Sequence, residues 1–230
     1  MVKKEITEKS PLRKLEDAVQ GGLGKGDLGV VASKTGVGNT AAIVHIATDK
    51  LMQDKHVIHV SFAKRVDHII DWYEDIFSEI SKKQDLENAM DVHDELVRGR
   101  VIMNFSQDGV TIEHVLAGVK AMMEAGQKGT DAIIIDGFDF TKAADGDMAA
   151  FKAFAEDRGV EIWFSDSFEA LNGDGVPVNL EASLSEIAVL VTIQNEEGYM
   201  MMTLVKDHEK VHAEKLSLKL ELKTLLIAEA

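Results

Sequence analysis

Residues 27–40, DLGVVASKTGVGNT, constrain this chain more than any other stretch. A short apolar run, 27–32, reads as a buried strand and ends in a glycine-punctuated loop, 33–40. The residues that follow place Ile43, Ile46, Ala47 and Leu51 at helical spacing, which predicts a helix over 40–53. Strand, tight loop and helix in direct succession leave the loop's N–H groups at the positive end of a helix dipole. Gly21-Gly22-Leu23-Gly24-Lys25-Gly26 immediately upstream is a turn-forming run.

The strand–helix order then repeats. Residues 56–62 (HVIHVSF) read as an apolar strand, 66–81 and 86–97 as helices, 101–105 as a strand and 111–125 as a helix. Residues 132–136 (AIIID) are an apolar strand closed by an acid, followed by a helix over 147–157 and a strand over 160–165 (VEIWFS). Three strands end the chain, at 187–193, 199–206 and 215–222. Glu196-Glu197-Gly198 marks a hairpin turn, and Leu216, Leu218, Leu220 and Leu222 share one face of the last strand. Continuous apolar strands alternating with helices predict a mostly parallel, twisted α/β sheet covered on both faces. The terminal strands extend that sheet in antiparallel fashion. Residues 172–179 (NGDGVPVN) read as a flexible loop excursion. With no linker and no repeat, the expectation is one domain over 21–230, preceded by a charged, half-ordered extension over 1–20 that turns helical near 12–19.

Composition narrows the function. Among 230 residues, Lys+Arg 25 against Asp+Glu 40 gives a net charge of −15. Nucleic-acid binding rests on clustered Lys and Arg that release counterions, so no nucleic-acid partner is expected. The same charge opposes an anionic membrane surface. The chain has no cysteine, which removes disulfides, thiolate zinc ligands and a thiol nucleophile. No segment has the apolar length of a signal peptide or a membrane span, so a cytoplasmic protein with no membrane partner is expected.

The loop Ser33-Lys34-Thr35-Gly36-Val37-Gly38-Asn39-Thr40 has the layout of a Walker A phosphate loop. Such a loop needs glycines so that the backbone can wrap phosphate, and N–H groups at a helix start to meet its charge. It needs a lysine for the β- and γ-phosphates and a Ser/Thr hydroxyl for Mg²⁺. Gly36, Gly38 and Thr40 are in place. Ser33 stands where the first glycine belongs, and Asn39 stands where the lysine belongs. Losing a charge-assisted phosphate contact costs roughly 1.5–3 kcal/mol, or about 10- to 100-fold in affinity. A strand-to-helix turn without a ligand would use the same glycines. Lys34 occupies the early position at which loops of the MinD/ParA type carry an extra lysine, and a solvated loop lysine is the plain alternative.

Residues 21–28, the following strand and the GVGNTA loop together resemble the opening of RecA-like P-loop ATPases, in particular the KaiC-like and replicative-helicase (DnaB C-terminal-domain-like) branches. The resemblance runs through the element order to about residue 209. It implies a RecA-like fold and a nucleotide site of ATP or ADP with Mg²⁺. It implies that Asp136, closing IIID, is the acid that holds Mg²⁺ together with Thr40. It places Ala63 where the family carries its general-base glutamate, and alanine cannot polarise water. It places Lys206 and His208 at a Lys-x-Arg pair that reaches a neighbouring subunit's nucleotide, with histidine lacking the fork of arginine. Ser165 falls near a phosphate-sensing position.

Asn39, Ala63 and His208 thus depart together from the catalytic set, while Thr40 and Asp136 retain its Mg²⁺ side. The expected function is a degenerate nucleotide-binding protein with weak or absent hydrolysis, acting through self-association or a protein partner. The alternative is an active ATPase in which Lys34, or a neighbouring subunit's Lys206, replaces the missing lysine. The eight histidines are scattered without metal-ligand spacing. The mixed aromatic and acidic stretch Trp72–Phe77 reads as packing.

Overall fold

The computed structural model describes residues 1–19, 21–62, 67–106, 109–126, 129–196 and 199–230. Among the described residues, nine strands form one sheet. They are β1 (Leu28–Ser33), β2 (Val57–Ser61), β3 (Arg100–Asn104), β4 (Ala132–Asp136), β5 (Glu161–Ser167), β6 (Ile187–Glu196), β7 (Tyr199–Asp207), β8 (Lys210–Leu220) and β9 (Ile227–Glu229). The order is β3-β2-β4-β5-β1-β6-β7-β8-β9. All pairings from β3 to β6 are parallel, and those from β6 to β9 are antiparallel. The expected α/β architecture, with helices on both faces and antiparallel strands at the C-terminal end, is therefore present.

Among the described residues, seven α-helices connect and cover these strands: α1 (Lys3–Glu8), α2 (Leu12–Ala18), α3 (Asn39–Met52), α4 (Asp67–Gln84), α5 (Ala89–Gly99), α6 (Ile112–Ala125) and α7 (Asp147–Arg158). Successive strand residues point to opposite faces. Ile134 accordingly joins a core with Ile43, Ile69 and Leu96, on the side of α1 to α5. Ile133 and Ile135 join a second core with Val115 and Phe151, on the side of α6 and α7. Parallel strands buried on both faces explain why β1, β2 and β4 carry no exposed position.

The chain leaves β1 and β2 toward the α3–α5 face and leaves β4 and β5 toward the opposite one, where Phe168, Val176 and Leu180 pack. Two neighbouring pairs, β5/β1 and β2/β4, thus have chains diverging from their carboxyl ends. Divergence of this kind opens a crevice, where open α/β sheets bind ligands.

Several local expectations are corrected. The segment before residue 20 is not half-ordered: α1 and α2 bury Ile6, Leu12 and Leu15 in the α3-side core. The final long strand runs over Lys210–Leu220, not 215–222; Leu216, Leu218 and Leu220 are buried as expected, whereas Leu222 lies past its end and is 59% exposed. The short strand β9 was not anticipated; it is held by pairing with β8 and by the Ile227 N–H donating to His45 Nδ1 at 2.9 Å. The 172–179 segment folds back on itself instead of straying. Asn172 Oδ1 accepts the N–H groups of Asp174 and Val176, both at 3.0 Å, and Val176 and Leu180 are buried. The expected helix start at 66 and the turn residues Glu197 and Gly198 lie outside the described residues.

Candidate functional site

The loop from β1 to α3 turns on two glycines. Gly36 has φ 78° and Gly38 has φ 117°, a conformation open to glycine at little cost. The Val37 N–H donates to Lys34 O at 3.1 Å, which closes a turn over the exposed Lys34, Thr35 and Gly36. Gly38 then heads α3, its carbonyl accepting the Ala42 N–H at 2.9 Å. Among the described residues, the N–H groups of Gly36 and Gly38 have no hydrogen-bond partner. Ser33 is buried, and its hydroxyl donates to Lys34 O at 3.0 Å.

Thr40 and Asp136 meet. The first turn of α3 spans the end of β5, and the Thr40 hydroxyl donates to Asp136 Oδ1 at 3.1 Å. The Ser165 hydroxyl donates to the same oxygen at 2.6 Å and itself accepts the Gly137 N–H at 3.0 Å. Ser165 therefore supports the acid. Asp136 is buried, so each of these bonds offsets part of its desolvation.

Asn39 does not extend over the loop. Its Nδ2 donates to the Asp166 carbonyl at 2.7 Å and to Ser167 Oγ at 3.2 Å, both at the end of β5. Its Oδ1 accepts the Thr40 N–H at 3.0 Å. One side chain thus ties the head of α3 to the end of β5 and satisfies a helix-start donor that a phosphate would otherwise use.

Two buried titratable groups flank this arrangement. Burial pushes the Asp166 carboxyl up to about 6, against the opposing bonds from Asn179 Nδ2 at 3.1 and 3.0 Å. Burial pushes His59 on β2 down to about 4, partly countered by the charge of Asp136. His59 Nδ1 lies 3.1 Å from the Tyr73 hydroxyl.

Lys206 and His208 lie elsewhere. β7 runs against β6, so its last residues reach the amino ends of the parallel strands, opposite the loop. Lys206 is buried and donates to Ile187 O; burial lowers its pKa. The His208 N–H donates to Ala188 O at 2.6 Å, and its Nδ1 is 2.7 Å from Asp207 Oδ1. Neither approaches the loop of its own chain. Ala63 lies outside the described residues; Phe62 before it donates its N–H to Asp136 O at 2.9 Å.

The donor set can be matched to ligands by its chemistry. A hydroxyl and a carboxylate in contact, Thr40 and Asp136, suit a hard cation such as Mg²⁺, which takes oxygen ligands. The free N–H groups of Gly36 and Gly38 suit an anion, whereas the Thr40 N–H is already taken.

The sequence did not point to Asp166, Asn179 or Leu220 in this neighbourhood. Leu220 closes over the loop from β8: a Cβ on Gly38 would stand 2.5 Å from its Cδ2. An acid one residue beyond the apolar strand 160–165 was the one available signal for Asp166. No protein-family model matches the chain, and comparison with curated proteins gives no match.

Proposed function

We propose that this chain is a degenerate RecA-like P-loop protein of the KaiC-like and DnaB-like kind, binding ATP or ADP weakly with Mg²⁺ and hydrolysing it little or not at all. The observation that carries this reading is the Thr40–Asp136 contact beneath a loop whose two glycines adopt positive φ. The strand order, with β1 between β5 and β6 and the acid-ending β4 beyond β5, supports it. Thr40 and Asp136 would hold Mg²⁺, and the free N–H groups of Gly36 and Gly38 would face phosphate. Mg²⁺ in such a site neutralises phosphate charge. Asn39 contributes no cation and holds α3 to β5, so the site lacks the charge that phosphoryl transfer requires.

Such a protein would work through a second copy or a protein partner, with nucleotide as a structural ligand. Among the described residues no helix is long and apolar enough to cross a membrane. A net charge of −15 favours a protein partner over nucleic acid.

A second reading rests on Lys34, which is exposed and whose ammonium has no partner among the described residues. It could swing to the phosphates and sustain turnover. For Lys206 of a neighbouring copy, the same role requires its ammonium to leave Ile187 O.

Calorimetry with Mg²⁺-ATP and Mg²⁺-ADP, alongside a phosphate-release assay, tests these readings. Saturable binding that loses its Mg²⁺ dependence in Thr40→Val, with negligible turnover, supports the first. Turnover abolished by Lys34→Ala supports the second. Absence of any nucleotide binding overturns both.

A further inference from the structure

We propose that the crevice between β2 and β4 is a separate binding site for a small organic cation with an apolar body, such as an arylalkylamine. Asn39 bridges the β5/β1 crevice, whereas the β2/β4 crevice opens into a cavity of about 430 Å³. That volume falls in the range of small-molecule sites, which is roughly 300–1,000 Å³. The cavity lies on the α6/α7 side of the sheet, and none of the loop residues 33–40 lines it.

The floor is apolar and aromatic. Phe62, just past β2, and Phe138, just past β4, line it with their ring centroids 6.0 Å apart, and Ile112 adds the start of α6. Phe138 is fixed by edge-to-face contacts with Phe140 at 5.0 Å and Phe151 at 5.8 Å. A ring held by its neighbours presents a defined surface without further ordering cost.

The rim sets the sign of the ligand. Among the described residues, Glu113, Asp139 and Asp147 face one cation, Lys142. Lys142 Nζ is 3.1 Å from Asp139 Oδ2, so these two charges answer each other. Asp147 Oδ2 accepts the Ala144 N–H at 2.8 Å, which positions its carboxylate and leaves its charge. The positive end of α6 opens here too, but Thr111 Oγ1 accepts the His114 N–H at 3.3 Å and Glu113 occupies the first turn. Among the described residues the remaining charge on this rim is negative. A cation above aromatic rings and beside carboxylates gains from both; a carboxylate ligand would be repelled.

The test uses the full chain with fluorine-labelled phenylalanine, titrated with 2-phenylethylamine and with phenylacetate and 2-phenylethanol as matched acid and neutral probes. The expected result is saturable movement of the Phe62 and Phe138 signals by the amine at millimolar concentration or below. The acid should produce none, and the alcohol should bind more weakly. Glu113→Gln with Asp147→Asn should weaken the amine at least about fivefold. Glu113 is exposed, so Glu113→Lys alone serves as the second variant if the pair fails to fold, with the same expected weakening. Equal binding of acid and amine, unmoved ring signals, or an affinity unchanged by these variants overturns the proposal.

Discussion

Asn39 Nδ2 donates to the main-chain oxygen of Asp166 at 2.7 Å, which fastens the head of α3 to the end of β5. A lysine here could not keep that arrangement while also reaching over the loop. Asn39 therefore stabilises a loop to which it brings no cation of its own.

The first prediction follows from that trade. Asn39→Lys gives up the bonds to Asp166 and Ser167 but adds a phosphate-facing cation and releases the Thr40 N–H. Mg²⁺-ATP affinity should rise by about 10-fold or more, from roughly 1.5 kcal/mol or more of regained contact. Thermal stability should fall, because the carbonyl at the end of β5 loses its donor. Hydrolysis should rise appreciably only when Ala63→Glu is added, and, if Ala63 holds the general-base position that the resemblance implies, the two effects should be non-additive. Calorimetry and phosphate release on the single and double variants check this. An Asn39→Lys variant with unchanged nucleotide affinity would mean that the loop no longer binds phosphate.

The second prediction concerns the glycines. Both adopt positive φ, but a Cβ on Gly36 would meet nothing within 4 Å, whereas one on Gly38 would press on Leu220. Gly36→Ala should cost about 1 kcal/mol of backbone strain, and Gly38→Ala more, within the roughly 1–3 kcal/mol typical of such positions. Leu220→Ala should recover part of the excess in Gly38→Ala while being destabilising alone. Urea unfolding of these three single variants and the double variant against the wild type decides the matter. Equal effects of the two glycine changes would remove Leu220 from the explanation.

Much of the fold could be read from residue periodicity, since buried parallel strands and amphipathic helices write their period into the sequence. AIIID and DLGVVA read as buried strands and are strands, whereas the contact between Thr40 and Asp136 was implied by the resemblance to P-loop ATPases and not by any period. Strand β9 was invisible because three residues carry no period, and its support comes from His45, far away in sequence. The ordered 172–179 turn was hidden for a related reason. Its composition is that of a loop, and the hydrogen bonds of Asn172 that organise it do not register in hydropathy. The direction of the Asn39 side chain depends on where β5 ends relative to α3, which only the tertiary structure fixes.

The third prediction is a pH dependence. Asp166 binds its proton more tightly in the folded chain, at about 6, than at its ordinary value of 3.8. Between those values the folded state carries a proton that the unfolded state lacks. This contribution to stability is complete below about pH 4, is lost as pH rises toward 6, and is absent above it. Its full size is about 3 kcal/mol. His45 and His59, both pushed by burial down to about 4, act in the opposite direction as pH rises from about 4 to 6.5. The wild-type profile is their sum, so the comparison must be with Asp166→Asn. That variant should gain stability relative to wild type at pH 7.5 compared with pH 4.5. Urea unfolding at both values measures it, and a pH-independent difference would refute the assignment.

The fourth prediction concerns a buried ion pair far from the loop. Lys50, in the last turn of α3, lies 2.7 Å from Glu161 at the start of β5, with the two side chains 8% and 6% exposed. Glu161 Oε2 has no other partner among the described residues. A pair in this setting barely recovers the cost of desolvating both charges, yet either charge alone is worse. Lys50→Met should therefore destabilise the chain by about 3–5 kcal/mol, since it strands a carboxylate. Lys50→Met with Glu161→Leu should return most of that loss, because it replaces the pair by apolar volume next to Trp163 and Ile46. The sheet end that this pair ties is the one opposite the loop, so nucleotide affinity should be unchanged in the double variant. Unfolding followed by Trp163 fluorescence reads the stability. If the single and double variants are equally destabilised, the pair is held by packing around it and not by the match of its charges.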